Sequence, residues 1–199
     1  MATKRDAVLG LARNRGVIRP RDLRSIGVAP SYLHDLTHDG ALRQVGRGLF
    51  VLPHHCFTEH HSLAEVAAHA PRAIVCLLSA LQFHGIGTQM PHAIWIAIPS
   101  KAHVPTVDTV PLEVVRMASA SLRAGAEVHC LEGVPVHIFS AAKTIADCFK
   151  FRLTVGLDVA LEALRDGLAR DRVTPADLYE YAVINRVWGV MRPYIEALG

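Results

Sequence analysis

The stretch that decides the fold is residues 17–53, VIRPRDLRSIGVAPSYLHDLTHDGALRQVGRGLFVLP. Its first part predicts a short helix over residues 21–25 that ends at Gly27. A second predicted helix covers residues 31–39, and Gly40 ends it. Two short helices separated by a tight turn are the framework of a helix-turn-helix.

Two short strands complete the pattern, over residues 41–45 and 49–52, on either side of a Gly-Arg-Gly turn. Upstream, residues 4–14 carry apolar side chains at helical spacing. Helices followed by a hairpin predict a winged helix-turn-helix. Such a module places one helix in the DNA major groove and its hairpin along the neighbouring backbone.

The predicted second helix of the motif turns Leu33 and Leu36 toward the core, so its other face is available to DNA. Side chains alternate between the two faces of the predicted wing strands, which leaves Arg43 and Arg47 exposed. The glycines beside Arg47 permit close approach to a sugar-phosphate strand. The predicted DNA contacts are Arg19, Arg21, Ser31, Tyr32, His34, His38, Arg43 and Arg47.

Several of these assignments have an alternative. Ser31 suits an N-cap as well as a phosphate contact. Asp35 lies on the same face and either accepts a hydrogen bond from a cytosine amino group or pairs with a neighbouring arginine. Arg47 is either the best single DNA contact or a solvated arginine in a turn.

Charge is concentrated in the N-terminal part of the chain. Residues 1–53 carry nine Lys or Arg and four Asp, a net charge of +5, within a total of +3. The remainder is therefore close to neutral, at −2. A basic head on a near-neutral body is typical of a DNA-binding protein.

The chain after the wing predicts a second, mixed domain. A connection over residues 54–59 leads to a domain over residues 60–199, beside a head over residues 1–53. Predicted strands cover 92–98, 112–117, 127–131 and 134–139, and predicted helices cover 62–69, 77–84, 141–152, a segment from Thr154, 175–185 and 188–198. The fold class expected is α+β: a winged head, then a mixed α/β domain with a helical C-terminal tail.

Composition argues against several classes of site. The longest apolar run, over residues 73–83, is too short to span a bilayer, and no signal peptide is seen, so a cytoplasmic protein is expected. A cluster of possible metal ligands follows the wing: His54, His55, Cys56, His60 and His61. No CxxC or HxxxH spacing supports a metal site there. We expect neither a metal nor a cofactor.

Four segments, taken in order, resemble a known family. They are residues 45–53 (VGRGLFVLP), 78–85 (LSALQFHG), 95–99 (WIAIP) and 140–149 (SAAKTIADCF). In this order they are similar to AbiEi-type antitoxins of the type IV abortive-infection toxin–antitoxin systems of bacteria.

The resemblance implies that the head binds inverted repeats of double-stranded DNA in its own promoter and represses its operon. It implies that the C-terminal domain counteracts a cognate nucleotidyltransferase-type toxin, without the need for a stable complex. Two heads on a repeat require a protein that is monomeric in solution and binds as two copies, or a weak dimer. The resemblance assigns no catalytic residue.

Lys143, Asp147 and Lys150 have two interpretations. Their spacing of three and four residues gives weak helix-stabilising pairs. Alternatively, they form a surface patch through which the antitoxin domain senses toxin or nucleic acid.

Other functions are weaker alternatives. A nuclease core around Asp108 and Glu113 lacks the lysine expected two residues after the strand carboxylate, where Val115 stands. An enzymatic antitoxin acting by phosphotransfer lacks a glycine-rich phosphate loop. A transcriptional regulator with an effector-sensing C-terminal domain stays open, and the neighbouring genes discriminate it from an antitoxin.

Overall fold

The computed structural model describes residues 3–54 and 58–198. The chain divides into two compact units. The first consists of the residues up to 68 together with residues 130–135, and the second of residues 69–129 and 136 onward. The helices and mixed sheets confirm the predicted α+β class. The boundary predicted at residues 54–59 stays a prediction.

Three helical segments open the first unit. Helix α1, Lys4–Arg15, begins with a capping box at Thr3. The next segment, Pro20–Ile26, is a 3-10 helix rather than the α-helix the sequence suggests. It ends at Gly27, whose φ of 65° is left-handed. Helix α2, Tyr32–His38, follows after a turn, so the predicted helix-turn-helix order is present.

The wing is an antiparallel pair of short strands. Strand β1, Arg43–Gly46, pairs with β2, Leu49–Val51. Ile18 adds a one-residue bridge to Phe50, with both backbone hydrogen bonds at 2.9 Å. The wing is thereby anchored to the segment between α1 and the 3-10 helix.

A small apolar core holds the first unit together. Side chains from α1, the 3-10 helix, α2 and the wing all contribute to it. Its buried members are Val8, Ala12, Ile18, Leu23, Val28, Leu33, Leu36, Leu42 and Phe50. Because this core uses the inward faces of all these elements, the outward face of α2 is left to solvent.

Residues 130–135 join the first unit through Glu132. This carboxylate accepts hydrogen bonds from the backbone N–H of Thr58 at 2.7 Å and from its hydroxyl at 3.0 Å. It also lies 2.8 Å from Nδ1 of His61, at the start of helix α3, His61–His69. The Glu132 side chain is only 1% exposed, so this contact is an internal part of the unit.

A five-stranded mixed sheet forms the base of the second unit, and only residues 130, 131, 134 and 135 of its strands are counted with the first. Its strands are β3 (Ile74–Val75), β4 (Ile94–Pro99), β5 (Leu112–Met117), β6 (Ala126–Leu131) and β7 (Val134–Phe139). Their order across the sheet is β5-β4-β3-β7-β6. Strand β3 runs antiparallel to β4 and parallel to β7, and β4 runs parallel to β5.

Seven described helices accompany this sheet. They are α4 (Leu77–His84), α5 (Ser119–Arg123), α6 (Ala141–Lys150), α7 (Arg152–Val155), α8 (Leu157–Ala169), α9 (Pro175–Asn185) and α10 (Trp188–Leu198). Most match the sequence pattern, but α5 was not predicted. The segment predicted as one helix over 141–152 ends at Lys150, and the helix predicted from Thr154 begins at Leu157, after Gly156 with a φ of 97°.

Helix α6 is the centre of the second unit. Every residue from 142 to 149 is buried, and α4, α8 and α9 all pack against it. Its large apolar side chains, Ile145 and Phe149, are fully buried. A helix enclosed on all sides differs from the two-faced helix that its charged residues suggest.

Among the described residues, no helix is both long enough and apolar enough to cross a membrane.

Candidate nucleic-acid interface

Helix α2 presents a polar face to solvent. Leu33 and Leu36 are buried, as predicted, whereas Ser31, His34 and His38 are exposed. Ser31 has helical backbone angles and makes no side-chain cap hydrogen bond. Ser31 thus occupies the N-cap position of α2 without a side-chain cap hydrogen bond, and its hydroxyl is left for another contact.

His34 connects helix α2 to the wing. Its ring meets Phe50 edge to face, with a centroid distance of 5.7 Å and an interplanar angle of 87°. Phe50 is buried in the core, so it fixes the position of His34 without covering it. Tyr32, one residue inside α2, is half-buried against the same core.

The wing carries the two predicted arginines on its exposed side. Arg43 and Arg47 are both exposed, and Arg47 lies in the turn between β1 and β2. Gly48 next to it has a φ of 71°, which a side chain rarely adopts. The glycine therefore allows the tight turn that presents Arg47.

Arg19 has a structural partner instead of an open surface. Its Nε lies 3.1 Å from Asp22, and its backbone N–H donates to the same carboxylate at 2.9 Å. Arg15 contacts Asp22 as well, at 3.1 Å. Because Asp22 is only 8% exposed, its charge requires these cations. Arg19 is therefore held by Asp22 inside the first unit and does not belong to the exposed cations of the head.

The remaining predicted contacts are exposed. Arg21 and His38 are open to solvent, and Asp35 lies on the same side of α2 as His34. Asp35 forms no ion pair with any described residue, so the predicted pairing with an arginine is not seen. Asp39, at the end of α2, lies 3.6 Å from Arg5.

The predicted antitoxin surface on α6 is wrong for two of its three residues. Lys143 and Asp147 are both fully buried. The Lys143 ammonium lies 2.5 Å from each carboxylate oxygen of Asp147 and 4.3 Å from the centre of the Phe139 ring. Lys150 is half-exposed and lies 5.9 Å from the centre of the Phe151 ring. A buried pair cannot form a surface patch.

Two further residues complete this buried network. The side-chain amide of Asn185 in α9 donates from Nδ2 to Asp147 at 2.7 Å, and the Ser121 hydroxyl of α5 donates to Oδ1 of Asn185 at 3.0 Å. Burial lowers the pKa of Lys143 and raises the pKa of Asp147, while their mutual attraction opposes both shifts. The network thus ties three helices together in a water-poor interior.

The two carboxylates of the nuclease alternative lie on different elements. Asp108 lies in an exposed loop, and Glu113 is exposed on β5. Among residues 3–54 and 58–198, no group of three or more His, Cys, Asp or Glu side chains could hold a metal ion. His55 and Cys56 of the sequence cluster lie outside the described residues.

Two comparisons with known proteins bear on different parts of the chain: a family match covers the head, and a structural likeness covers most of the fold. Residues 6–53 match the family described as "Transcriptional regulator, AbiEi antitoxin". The chain is similar to the crystal structure of the RV2827C protein from Mycobacterium tuberculosis, with a TM-score of 0.56 over 91% of this chain and 72% of that chain. At 17% identity, that likeness shows the fold alone.

No curated protein matches the sequence. The family match spans α1, the 3-10 helix, α2 and the wing, which are the elements that the sequence pattern assigns to DNA binding. The resemblance to the AbiEi antitoxin family of transcriptional regulators is thus confirmed over residues 6–53.

Proposed function

We propose that this chain is a DNA-binding antitoxin that represses its own operon. The observation that carries the proposal is the coincidence of the AbiEi regulator match with an exposed polar helix face and an arginine-bearing wing. The net charge of +5 over residues 1–53 supplies the attraction to a phosphate backbone.

Helix α2 is the element proposed to enter the major groove. Ser31 is its N-cap residue, and Tyr32 and His34 lie in its first turn, where recognition helices contact base edges and phosphates. His34 would be held in register by Phe50, and His38 would lie near a phosphate. These contacts would fix the position of the helix on the duplex and read its sequence.

The wing is proposed to contact the adjoining backbone or minor groove through Arg47, with Arg43 on a neighbouring phosphate. Both are exposed on one short hairpin, and Arg21 is a further exposed cation of the first unit. Binding to inverted repeats would bring two copies of the chain to one operator.

The second unit is proposed to counteract a nucleotidyltransferase-type toxin in the cytoplasm. Since Lys143 and Asp147 are buried, they would support this unit from within and would not touch the toxin. The proposal requires no catalytic step, no cofactor and no stable complex. An adjacent nucleotidyltransferase-like gene would favour it over an effector-sensing regulator.

A separation-of-function experiment tests the two halves of the proposal. Cells carry the toxin gene under an inducible promoter and a reporter under the native promoter of this operon. The variant Arg43→Ala with Arg47→Ala should release the reporter from repression, because two phosphate contacts are lost. The same variant should still rescue growth when the toxin is induced.

The matched control is Lys4→Ala with Arg13→Ala, which removes the same charge from exposed positions of α1. This control should repress normally. Full repression by the wing variant would reject the wing as a DNA contact. Failure of the wild-type chain to rescue growth against the toxin of its own operon would reject the antitoxin role.

A further inference from the structure

A basic cavity lies in the second unit, at one end of its sheet. The segment before β3 and the segment after β4 meet there, because β3 and β4 are antiparallel neighbours. The cavity has a volume of about 470 Å³ and lies between residues 69–73 and 98–105. This space is sufficient for a mononucleotide or a short section of a nucleic-acid strand.

The two permanently charged side chains that line this cavity, Arg72 and Lys101, are both positive. His69, Arg72, Lys101 and His103 line it, and none of the described residues that line it is acidic. A basic cavity is unexpected here, because residues 54–199 together have a net charge of −2. Arg72 and Lys101 form no ion pair with a described residue. The positive charges of Arg72 and Lys101 on one cavity repel each other, and an anionic ligand relieves that repulsion.

The loop that carries Lys101 is held in place from beneath. Arg116 of β5 donates from Nη1 to the carbonyl oxygens of Ser100 at 2.9 Å and Ala102 at 2.8 Å. The Ser100 hydroxyl donates to the Met117 carbonyl at 3.1 Å. A loop fixed in this way loses little entropy when a ligand binds.

Apolar side chains line the cavity as well. Pro71, Ile98 and Pro99 belong to its lining together with the basic groups. An apolar surface beside several cations suits a ligand with a flat ring and phosphates, which is the chemistry of a nucleotide.

We propose that this cavity binds phosphate groups of a nucleotide, either free or within a nucleic-acid strand. Arg72 and Lys101 contact the phosphates, and His69 and His103 flank them. The site is separate from the DNA-reading residues of the first unit and does not rest on them.

The test is a titration of the full-length chain, with isotope-labelled backbone amides observed by NMR. The probes are pyrophosphate, ATP and a short DNA duplex that lacks the operator. Saturable shifts in residues 69–73 and 99–105 are expected with at least one probe. If these residues shift with ATP but not with the duplex, the ligand is a free nucleotide. If they shift with the duplex, the ligand is a nucleic-acid strand.

The variant Arg72→Ala with Lys101→Ala should weaken these shifts by at least about tenfold, since two charge-assisted contacts are lost. The control Arg123→Ala with Arg165→Ala removes two other exposed arginines of the same unit and should bind as the wild type does. Lys101→Gln alone is a milder change and should weaken binding of the probe to a smaller extent.

The wing variant Arg43→Ala with Arg47→Ala should leave the shifts in residues 69–73 and 99–105 unchanged. This outcome keeps the present inference distinct from the DNA-binding proposal. Absence of shifts in these two segments with all three probes would overturn the inference. An equal loss in the Arg123 and Arg165 control would overturn it as well, because binding would then follow total charge alone.

Discussion

Replacing Lys143 with methionine leaves the Asp147 carboxylate buried without its cation. Both side chains are fully buried, and the ammonium contacts both carboxylate oxygens. Removing one partner of a buried ion pair costs about 3–5 kcal/mol, because the other charge stays desolvated. Since a domain is stable by only about 5–15 kcal/mol, we expect a large loss of stability in Lys143→Met.

The double variant Lys143→Met with Asp147→Asn separates the charge from the packing. An amide oxygen at position 147 can still accept the hydrogen bond of Asn185, now 2.7 Å from the carboxylate. The remaining cost is one buried amide group without a full set of partners, about 1–3 kcal/mol. The double variant should therefore be more stable than Lys143→Met, although it carries an additional substitution.

The pH dependence of Lys143→Met has a predictable sign. Burial raises the pKa of Asp147 in the folded chain, and removing Lys143 removes a cause that lowers it. The folded state then holds a proton that the unfolded state has released, so stability falls as the pH rises through this window. The deficit of Lys143→Met relative to the wild type should shrink on going from about pH 7 to about pH 5.

Urea denaturation followed by circular dichroism measures these free energies of unfolding. The refuting result is a Lys143→Met variant within about 1 kcal/mol of the wild type at neutral pH, because ordinary surface changes fall in that range. A double variant less stable than the single one would also contradict the charge argument.

Three further changes test the first unit, each by thermal or urea unfolding of the full chain. Gly133→Ala should destabilise strongly, because its added Cβ would lie 1.5 Å from the Arg15 carbonyl oxygen and its φ is 77°. Gly10→Ala should instead stabilise by up to about 1 kcal/mol, since nothing lies within 4 Å and alanine favours helix α1. Glu132→Gln should cost about 1–3 kcal/mol, because it weakens buried contacts that include the one to His61. A neutral Gly133→Ala, a destabilising Gly10→Ala or an unchanged Glu132→Gln would each contradict the packing described.

The head could be predicted from the sequence because its signals are local. Glycines at 16, 27 and 40 mark the ends of helical segments, and the Gly-Arg-Gly turn marks the wing. These signals depend on backbone conformation within a few residues. The 3-10 form of Pro20–Ile26 was missed, because periodicity does not distinguish it from a short α-helix.

The burial of Lys143 and Asp147 could not be predicted from spacing alone. A pair four residues apart looks the same on a surface helix and inside a core. The available signal was the rest of α6. Apart from Lys143 and Asp147, all residues from 141 to 149 are apolar or small. Only the tertiary packing of α4, α8 and α9 around this helix decides which case applies.

Long-range contacts within each unit likewise could not be predicted from the sequence pattern. Glu132 appears as a turn residue in a hairpin, yet its carboxylate is buried against Thr58, more than seventy residues away. The basic cavity also arises from strand order, because β3 and β4 bring Arg72 and Lys101 together.

The measurement that most directly tests the central claim is a gel-shift titration with the operon's own promoter fragment at several salt concentrations. The account predicts that Arg43→Ala with Arg47→Ala binds at least about tenfold more weakly than the wild type. It also predicts that the slope of log affinity against log salt becomes shallower by about 2, one for each lost phosphate contact. The exposed α1 control, Lys4→Ala with Arg13→Ala, should keep the wild-type affinity and slope. Equal affinity and equal slope for the wing variant and the wild type would contradict the account.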